Sequence, residues 1–195
     1  MTDFDEAGWW QDCANTFHEE QKQLVYAPRM GLLPYWGVAH PPTFNLQGRS
    51  VIDIGGGPVS LLLKCVEKGR AVVADPSVFP DWVTARYEHC GIEYWRMEGE
   101  SPSLADYSFD EAWIYNVLQH VRDPALVVAR ARGIAKNVRL FEWIDIPPYD
   151  GHPHLLTEDL LNQWVGGHGF TVHLDTDGAV GRAYYGVFRG LLRPQ

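Results

Sequence analysis

The chain of 195 residues is 46% hydrophobic, 13% aromatic and 21% charged, which suits one globular domain with at most a small appendage. Its 16 basic and 25 acidic residues leave a formal net charge of -9. A polyanion is therefore disfavoured as the principal partner, because phosphate contacts need clustered Lys and Arg. Cys13, Cys65 and Cys90 are too few and too scattered for a disulfide framework or a zinc site. The start, Met1 to Glu6, is acidic where a secretory signal is basic and then apolar. The uncharged stretch from Met30 to Gly48 is broken by Pro34, Pro41 and Pro42, so it predicts no membrane span. A cytoplasmic protein is the expectation.

In chain order, the first 48 residues stand apart as an aromatic-rich arm holding Trp9, Trp10, Phe17, Tyr26, Tyr35, Trp36 and Phe44. A helix is predicted near residues 8 to 26, followed by a Pro/Gly-rich segment. From residue 49 to 195 short β-type runs alternate with helical stretches. The candidate strands are Ser50–Ile54, Arg70–Ala74, Ile92–Met97, Glu111–Asn116 and Val138–Ile144, with a β-rich tail at Thr171–Leu174 and Ala183–Arg189. Helix ends are marked between them. Pro58 opens one helix and Gly69 closes it; Asp123-Pro124 precede Ala125–Ala131 and Gly133; Thr157 caps Glu158–Val165 before Gly166-Gly167. This alternation predicts an α/β domain, a doubly wound parallel sheet with helices on both faces.

The chemistry concentrates in Val51-Ile52-Asp53-Ile54-Gly55-Gly56-Gly57-Pro58, where an apolar strand carrying an acid runs through three glycines. Glycines let the backbone turn sharply and approach a ligand, and a helix start offers free N–H groups. Asp75 lies 22 residues after Asp53, the spacing of an acid on the next strand of a nucleoside-binding βαβ unit. A dinucleotide fingerprint needs a third glycine where Ser60 stands, and Asp53 would repel a pyrophosphate. A cationic amino group suits it better.

Asp53-Ile54-Gly55-Gly56-Gly57 resembles the acid-x-Gly-x-Gly first motif of class I S-adenosylmethionine-dependent methyltransferases, with Val59 where many members have a further glycine. Asp75 and Glu98 match the family's acids after the second and third strands. Phe109-Asp110, Leu118-Gln119-His120 and Asp123-Pro124 are similar to the fourth-strand motif of its small-molecule, ubiquinone-biosynthesis-like members. Leu155 to Phe170 resembles the helix ending in Gly-Phe before the last two strands.

The resemblance implies a Rossmann-like sheet of order 3-2-1-4-5-7-6 with strand 7 antiparallel, and S-adenosyl-L-methionine as cofactor. It implies Asp53, Gly55 and Gly57 at the methionine end, Asp75 at the ribose, Glu98 and Gly99 at the adenine, and Asn116 near the sulfonium. His120 is the first candidate for a base, with packing as the alternative. His152 and His154 follow strand 5 on the same edge, and His154 is taken with His120 as a catalytic candidate. Two histidines in a loop make no closed metal site, so no metal is expected. Ile146-Pro147-Pro148-Tyr149 reads as a proline-stiffened loop. Tyr26, Tyr35 and Trp36 are weighed as core groups or as a cover over the sulfonium.

The function expected is methyl transfer to a small molecule, apolar or aromatic, with the arm forming part of the acceptor pocket. A tRNA or other nucleic-acid methyltransferase, a non-catalytic cofactor-binding partner, and cleavage of the same cofactor are the alternatives.

Overall fold

The computed structural model describes residues 13–35, 43–176 and 179–192. Helix α1 spans Cys13–Arg29 and ends with Pro28 in its last turn. Three short strands follow this helix: β1 (Pro34–Tyr35) and β2 (Thr43–Asn45) within the arm and, further on, β4 (Cys65–Val66). They form a small sheet of order β1-β2-β4 that the sequence gives no sign of. Trp9, Trp10, Trp36 and the side chain of Tyr35 lie outside the described residues.

The main sheet contains β3 (Val51–Ile54), β5 (Ala71–Asp75), β6 (Glu93–Arg96), β7 (Phe109–Tyr115), β8 (Ala135–Ile144), β9 (Phe170–Thr176) and β10 (Ala179–Arg189). Its order is β6-β5-β3-β7-β8-β10-β9, with β10 antiparallel to both neighbours. In the expected numbering this is 3-2-1-4-5-7-6 with strand 7 reversed, as the resemblance implied. The strand runs were read closely, although β8 begins at Ala135, directly after the helix before it.

Side-chain alternation sorts each strand between the two faces. On one face Val51, Val73, Trp113, Tyr115, Phe141 and Trp143 pack with Tyr26 and Met30 of the arm, and with Val83 and Tyr87 of helix α2 (Asp81–His89). On the other, Ile52, Ile54, Val72, Ile114 and Leu140 pack under helices α3 (Pro124–Ile134) and α4 (Glu158–Val165). Asp123 Oδ1 accepts the Leu126 N–H at 3.0 Å, and Thr157 Oγ1 accepts the Leu160 N–H at 3.3 Å. Gly166 closes α4 in the left-handed conformation, φ 65°. These ends are the ones the sequence marks, save that Gly133 lies inside α3.

The helix expected from Pro58 to Gly69 does not form. Gly57–Val59 and Leu61–Lys64 make two 3₁₀ turns, separated by Ser60 in an extended conformation. Cys65-Val66 then pairs with Phe44-Asn45 of β2. Pairing with the arm competes with helix continuation, and tertiary context overrides the local signal.

Helix α1 is fastened to the domain along its length and at its C-terminal end. Gln23 Nε2 donates to the Val59 carbonyl, and Lys64 donates to Gln23 Oε1 at 3.1 Å. At the far end Arg139 Nη1 donates to the Met30 carbonyl at 2.6 Å. The same guanidinium makes two 2.7 Å bonds to buried Glu111, which Arg49 also contacts. Removing one partner from such a buried charge cluster costs about 3–5 kcal/mol, because the remaining charge is left uncompensated.

Candidate active site

Strand order reverses between β3 and β7, and the carboxyl ends of the strands beside such a reversal leave a crevice. A cleft of about 740 Å³ opens there. Ile54, Gly55, Gly57, Asp75, Ser77, Glu98, Gly99 and Glu100 line one side. Asn116, Val117, Gln119, His120, Trp143, Ile146, Tyr149 and His152 line the other, with Glu19 and Lys22 of α1 and Val180 of β10.

Gly55 has φ +74°, and a Cβ there would stand 2.5 Å from Val117 Cγ1. The position needs glycine both for its backbone and for the close approach of the loop after β7. Beneath the turn, Tyr87 donates its hydroxyl to the Gly57 carbonyl at 2.6 Å and accepts the Ser60 N–H at 3.0 Å. Tyr115 accepts the Leu61 N–H at 2.9 Å. Two buried tyrosines thus hold the glycine segment where a helix was expected to do so.

Asp75 reaches across from the next strand. Its Oδ2 accepts the Gly57 N–H at 3.1 Å, and its Oδ1 accepts the Ser77 N–H at 2.9 Å. Burial raises its pKa against these two donors. Glu98 is exposed and meets Arg122 at 3.4 Å. Glu100, by contrast, is buried and accepts the Arg122 and Asp123 N–H groups at 3.0 and 3.1 Å, holding the cleft-side loop to the start of α3.

Asp53 has the same side-chain parity as Val51, so it points beneath the sheet instead of into the cleft. Its Oδ2 accepts the Ser60 and Tyr115 hydroxyls, each at 2.5 Å, and burial pushes its pKa up to about 7. Its Oδ1 is buried and has no hydrogen-bond partner among the described residues.

The loops after β7 and β8 meet through their histidines. Tyr149 and His152 pair across Asp150-Gly151 in a tight hairpin, with N–H···O distances of 3.1 and 2.9 Å. His120 Nδ1 lies 2.8 Å from the Gly151 carbonyl, so it carries the proton of that bond, and its Nε2 lies 3.2 Å from His152 Nε2. Burial, with the neighbouring His120, lowers the His152 pKa to about 4. His154 does not line the cleft; its Nε2 donates to the Val121 carbonyl at 2.6 Å. Asn116, at φ 56°, accepts from Gln119 Nε2 at 2.8 Å. Below it, Glu142 of β8 accepts the N–H groups of Val117 and Leu118, each at 3.0 Å, and burial pushes its pKa up to about 8.

Three solved structures share this architecture. An O-methyltransferase family protein from Burkholderia thailandensis matches with TM-score 0.66 and 14% identity over 97% of this chain. This chain spans 64% of that protein's length. The 1,6-didemethyltoxoflavin-N1-methyltransferase of the same organism, solved with 1,6-didemethyltoxoflavin and S-adenosylhomocysteine, gives 0.55 and 14% over 92% of this chain and 86% of its own. The N-methyltransferase NodS from Bradyrhizobium japonicum WM9, in complex with S-adenosylhomocysteine, gives 0.56 and 13% over 97% and 94%. This chain has the class I methyltransferase fold. No family model and no curated protein matches its sequence.

Against the methyltransferase fold, the motif reading brings Gly55, Gly57, Asp75, Glu98, Gly99, Asn116 and His120 to one cleft, and leaves Asp53 and His154 outside its lining. Tyr26, weighed as a cover over the cleft, is fully buried and stacks on Phe141 at 4.2 Å. It is a core residue. Sequence reasoning passed over Glu19, Lys22, Glu100 and Glu142. Glu100 lies two residues beyond a recognised motif position and was within reach of inspection; Glu142 sits mid-strand with no local signal at all. Among the described residues no group of three or more His, Cys, Asp or Glu is placed to hold a metal, and no helix is long and apolar enough to cross a membrane.

Proposed function

We propose that this chain is a cytoplasmic S-adenosylmethionine-dependent methyltransferase acting on a small molecule. The observation that carries the reading is the order of the lining residues. Gly55 and Gly57, then Asp75, then Glu98 and Gly99, then Asn116 follow the carboxyl ends of β3, β5, β6 and β7 along one cleft. The residues fit the cofactor. Small-molecule sites run to about 300–1,000 Å³, and the two Asp75 oxygens keep acceptor capacity beyond the two N–H groups they already bind. That capacity suits ribose hydroxyls, Glu98 with Gly99 suits the adenine, and Asn116 borders the sulfonium.

When bound, the cofactor supplies a methyl group already activated on sulfur. The work of the protein is then to hold an acceptor in line and exclude water, and such positioning accounts for up to ~7–11 kcal/mol in well-oriented reactions. His120 is the candidate base, with Gly151 fixing its tautomer. Asp53 acts in this reading as a buried brace of the glycine turn, and His154 as a fastening for the loop after β8.

Trp143, Ile146, Tyr149 and Val180 support an apolar or aromatic acceptor, and Glu19 with Lys22 supports the arm, residues 1–48, as an acceptor-side element. Lys22 and Arg122 are the only Lys or Arg side chains among the described lining residues, facing five carboxylates, which weighs against nucleic acid.

Calorimetric titration with S-adenosylmethionine and S-adenosylhomocysteine tests the reading, with saturable one-site binding expected. Folded protein that binds neither would overturn it. His120→Ala is expected to lower turnover by ~100-fold or more while leaving cofactor affinity unchanged; an equal loss in both would make the residue structural.

A further inference from the structure

We infer that Glu19 is the acceptor-recognition acid of the cleft and that the acceptor is an amine, bound as its ammonium ion. The inference rests on the methyltransferase reading and adds to it the chemical class of the acceptor.

Glu19 lies on α1, lines the cleft, and is only 6% exposed. It lines the cleft together with Asn116, the residue that ends the β7 side of the crevice. It is therefore a buried carboxyl at the place where the two halves of the cleft meet. The other acids of the lining are committed differently. Asp75 holds Gly57 and Ser77, Glu98 pairs with Arg122, and Glu100 holds the Arg122 and Asp123 amides. Asp150 sits at the tip of the outer hairpin. Among the described lining residues Glu19 is the buried carboxylate on the acceptor side, and its own ion-pair partner is Lys22.

Its neighbours favour a cation. Trp143 lines the same region, and an indole face attracts an ammonium group. Lys22, one helical turn on, lies 3.8 Å away, but its side chain is 28% exposed. It can turn toward solvent when a second cation arrives. An anionic acceptor would meet Glu19 and Asp150, while Lys22 is already paired with Glu19 and Arg122 with Glu98.

An ammonium ion has no lone pair and must lose a proton before it reacts. Burial raises the Glu19 pKa, which brings the carboxylate closer to a useful base. The proton passes from nitrogen to a Glu19 oxygen, which frees the nitrogen lone pair and leaves His120 to take the proton that the methylated nitrogen sheds afterwards. That pair forms the N–C bond as the methyl carbon leaves sulfur, and the S–C electron pair stays on sulfur. The total charge is the same before and after.

The test uses the full chain saturated with S-adenosylhomocysteine and a panel of aryl and alkyl amines. Each amine is accompanied by the alcohol and the carboxylic acid of the same skeleton. Amines are expected to raise the melting temperature, and Glu19→Gln to abolish that response with cofactor affinity kept within ~2-fold. Glu19→Asp should restore part of it. With S-adenosylmethionine, kcat/KM for the responding amine should fall ~100-fold or more in Glu19→Gln. A stronger response to alcohols or acids, no response to any amine, or an amine response that survives in Glu19→Gln overturns the inference while leaving cofactor binding intact. Failure of the unaltered protein to bind S-adenosylhomocysteine overturns the underlying reading, and the inference with it.

Discussion

On the side of β3, β5 and β6, the cleft is lined by residues that directly follow strands. Their polar groups are answered by backbone N–H groups a few ångströms away, as Asp75 is by Gly57 and Ser77. On the side of β7, β8 and β10, the lining comes from α1, two long loops and a returning strand. Side chains there answer one another across long separations, as His120 does His152. The first half is a product of local motifs on a standard sheet. The second depends on how distant segments dock, and in this fold it is the half free to differ from one chain to the next.

The largest expected effect comes from breaking the seam between the halves. Gly55→Val should cost about 3 kcal/mol or more, through a strained backbone and overlap with Val117. Cofactor affinity should fall by more than ~100-fold in calorimetry. Near-normal binding would show that the two loops adjust independently.

Next in size is a pH effect shared by both halves. Asp53 under the first has its pKa raised from 3.8 to about 7, and Glu142 under the second from 4.5 to about 8. Folded protein then holds more protons than unfolded protein across that interval. Their stabilisation is complete below about pH 4 and is lost as pH rises through 7 and 8, up to about 4 kcal/mol for each group. His152, lowered to about 4, works in the opposite direction below pH 6.5. The urea midpoint should therefore drop between about pH 4.5 and 8 and level off above that, and Glu142→Gln should flatten the part above pH 7. A midpoint that does not move would place both carboxyls outside the titrating set.

A smaller loss is expected for Asp75→Asn, which keeps the size but replaces one acceptor oxygen by a donor. Affinity should fall ~10–100-fold with turnover at saturation little changed, since hydrogen bonds to charged groups contribute about 1.5–3 kcal/mol. The smallest effect belongs to the second half. His154→Ala removes one neutral hydrogen bond to Val121, worth about 1 kcal/mol. It should lower the melting temperature by a few degrees and leave cofactor affinity unaltered. A loss of turnover as deep as that of His120→Ala would return His154 to the catalytic set.

The contrast between the halves is also a contrast in what could be read beforehand. Strand–helix alternation, glycine spacing and the acids at Asp75 and Glu98 are short-range patterns; they led to the α/β class, and through the family resemblance they carry to the sheet order and the first half of the cleft. The same patterns misled where a long-range contact competes. Pro58 and Gly69 look like helix ends, yet pairing of Cys65-Val66 with the arm leaves only short turns. Asp53 looks like a ligand residue because it precedes the glycines. Strand parity and the hydroxyls of Ser60 and Tyr115 turn it inward.

The sequence by itself determined one acidic α/β domain, its strand order, and an acid–glycine framework suited to a nucleoside-bearing cofactor. The α/β class and the acid–glycine framework follow from periodicity and spacing along the chain, and the strand order from the resemblance that the motifs carry. Several of the 25 acids are internal braces, as Asp53, Glu100, Glu111 and Glu142 are. Tertiary structure alone decided which acids face the cleft. It also decided that His152 and not His154 meets His120, and that the arm contributes Glu19 and Lys22 to the cleft wall. Those choices depend on the docking of segments far apart in the chain, where side-chain parity, burial and hydrogen-bond satisfaction act together and no local pattern records the outcome.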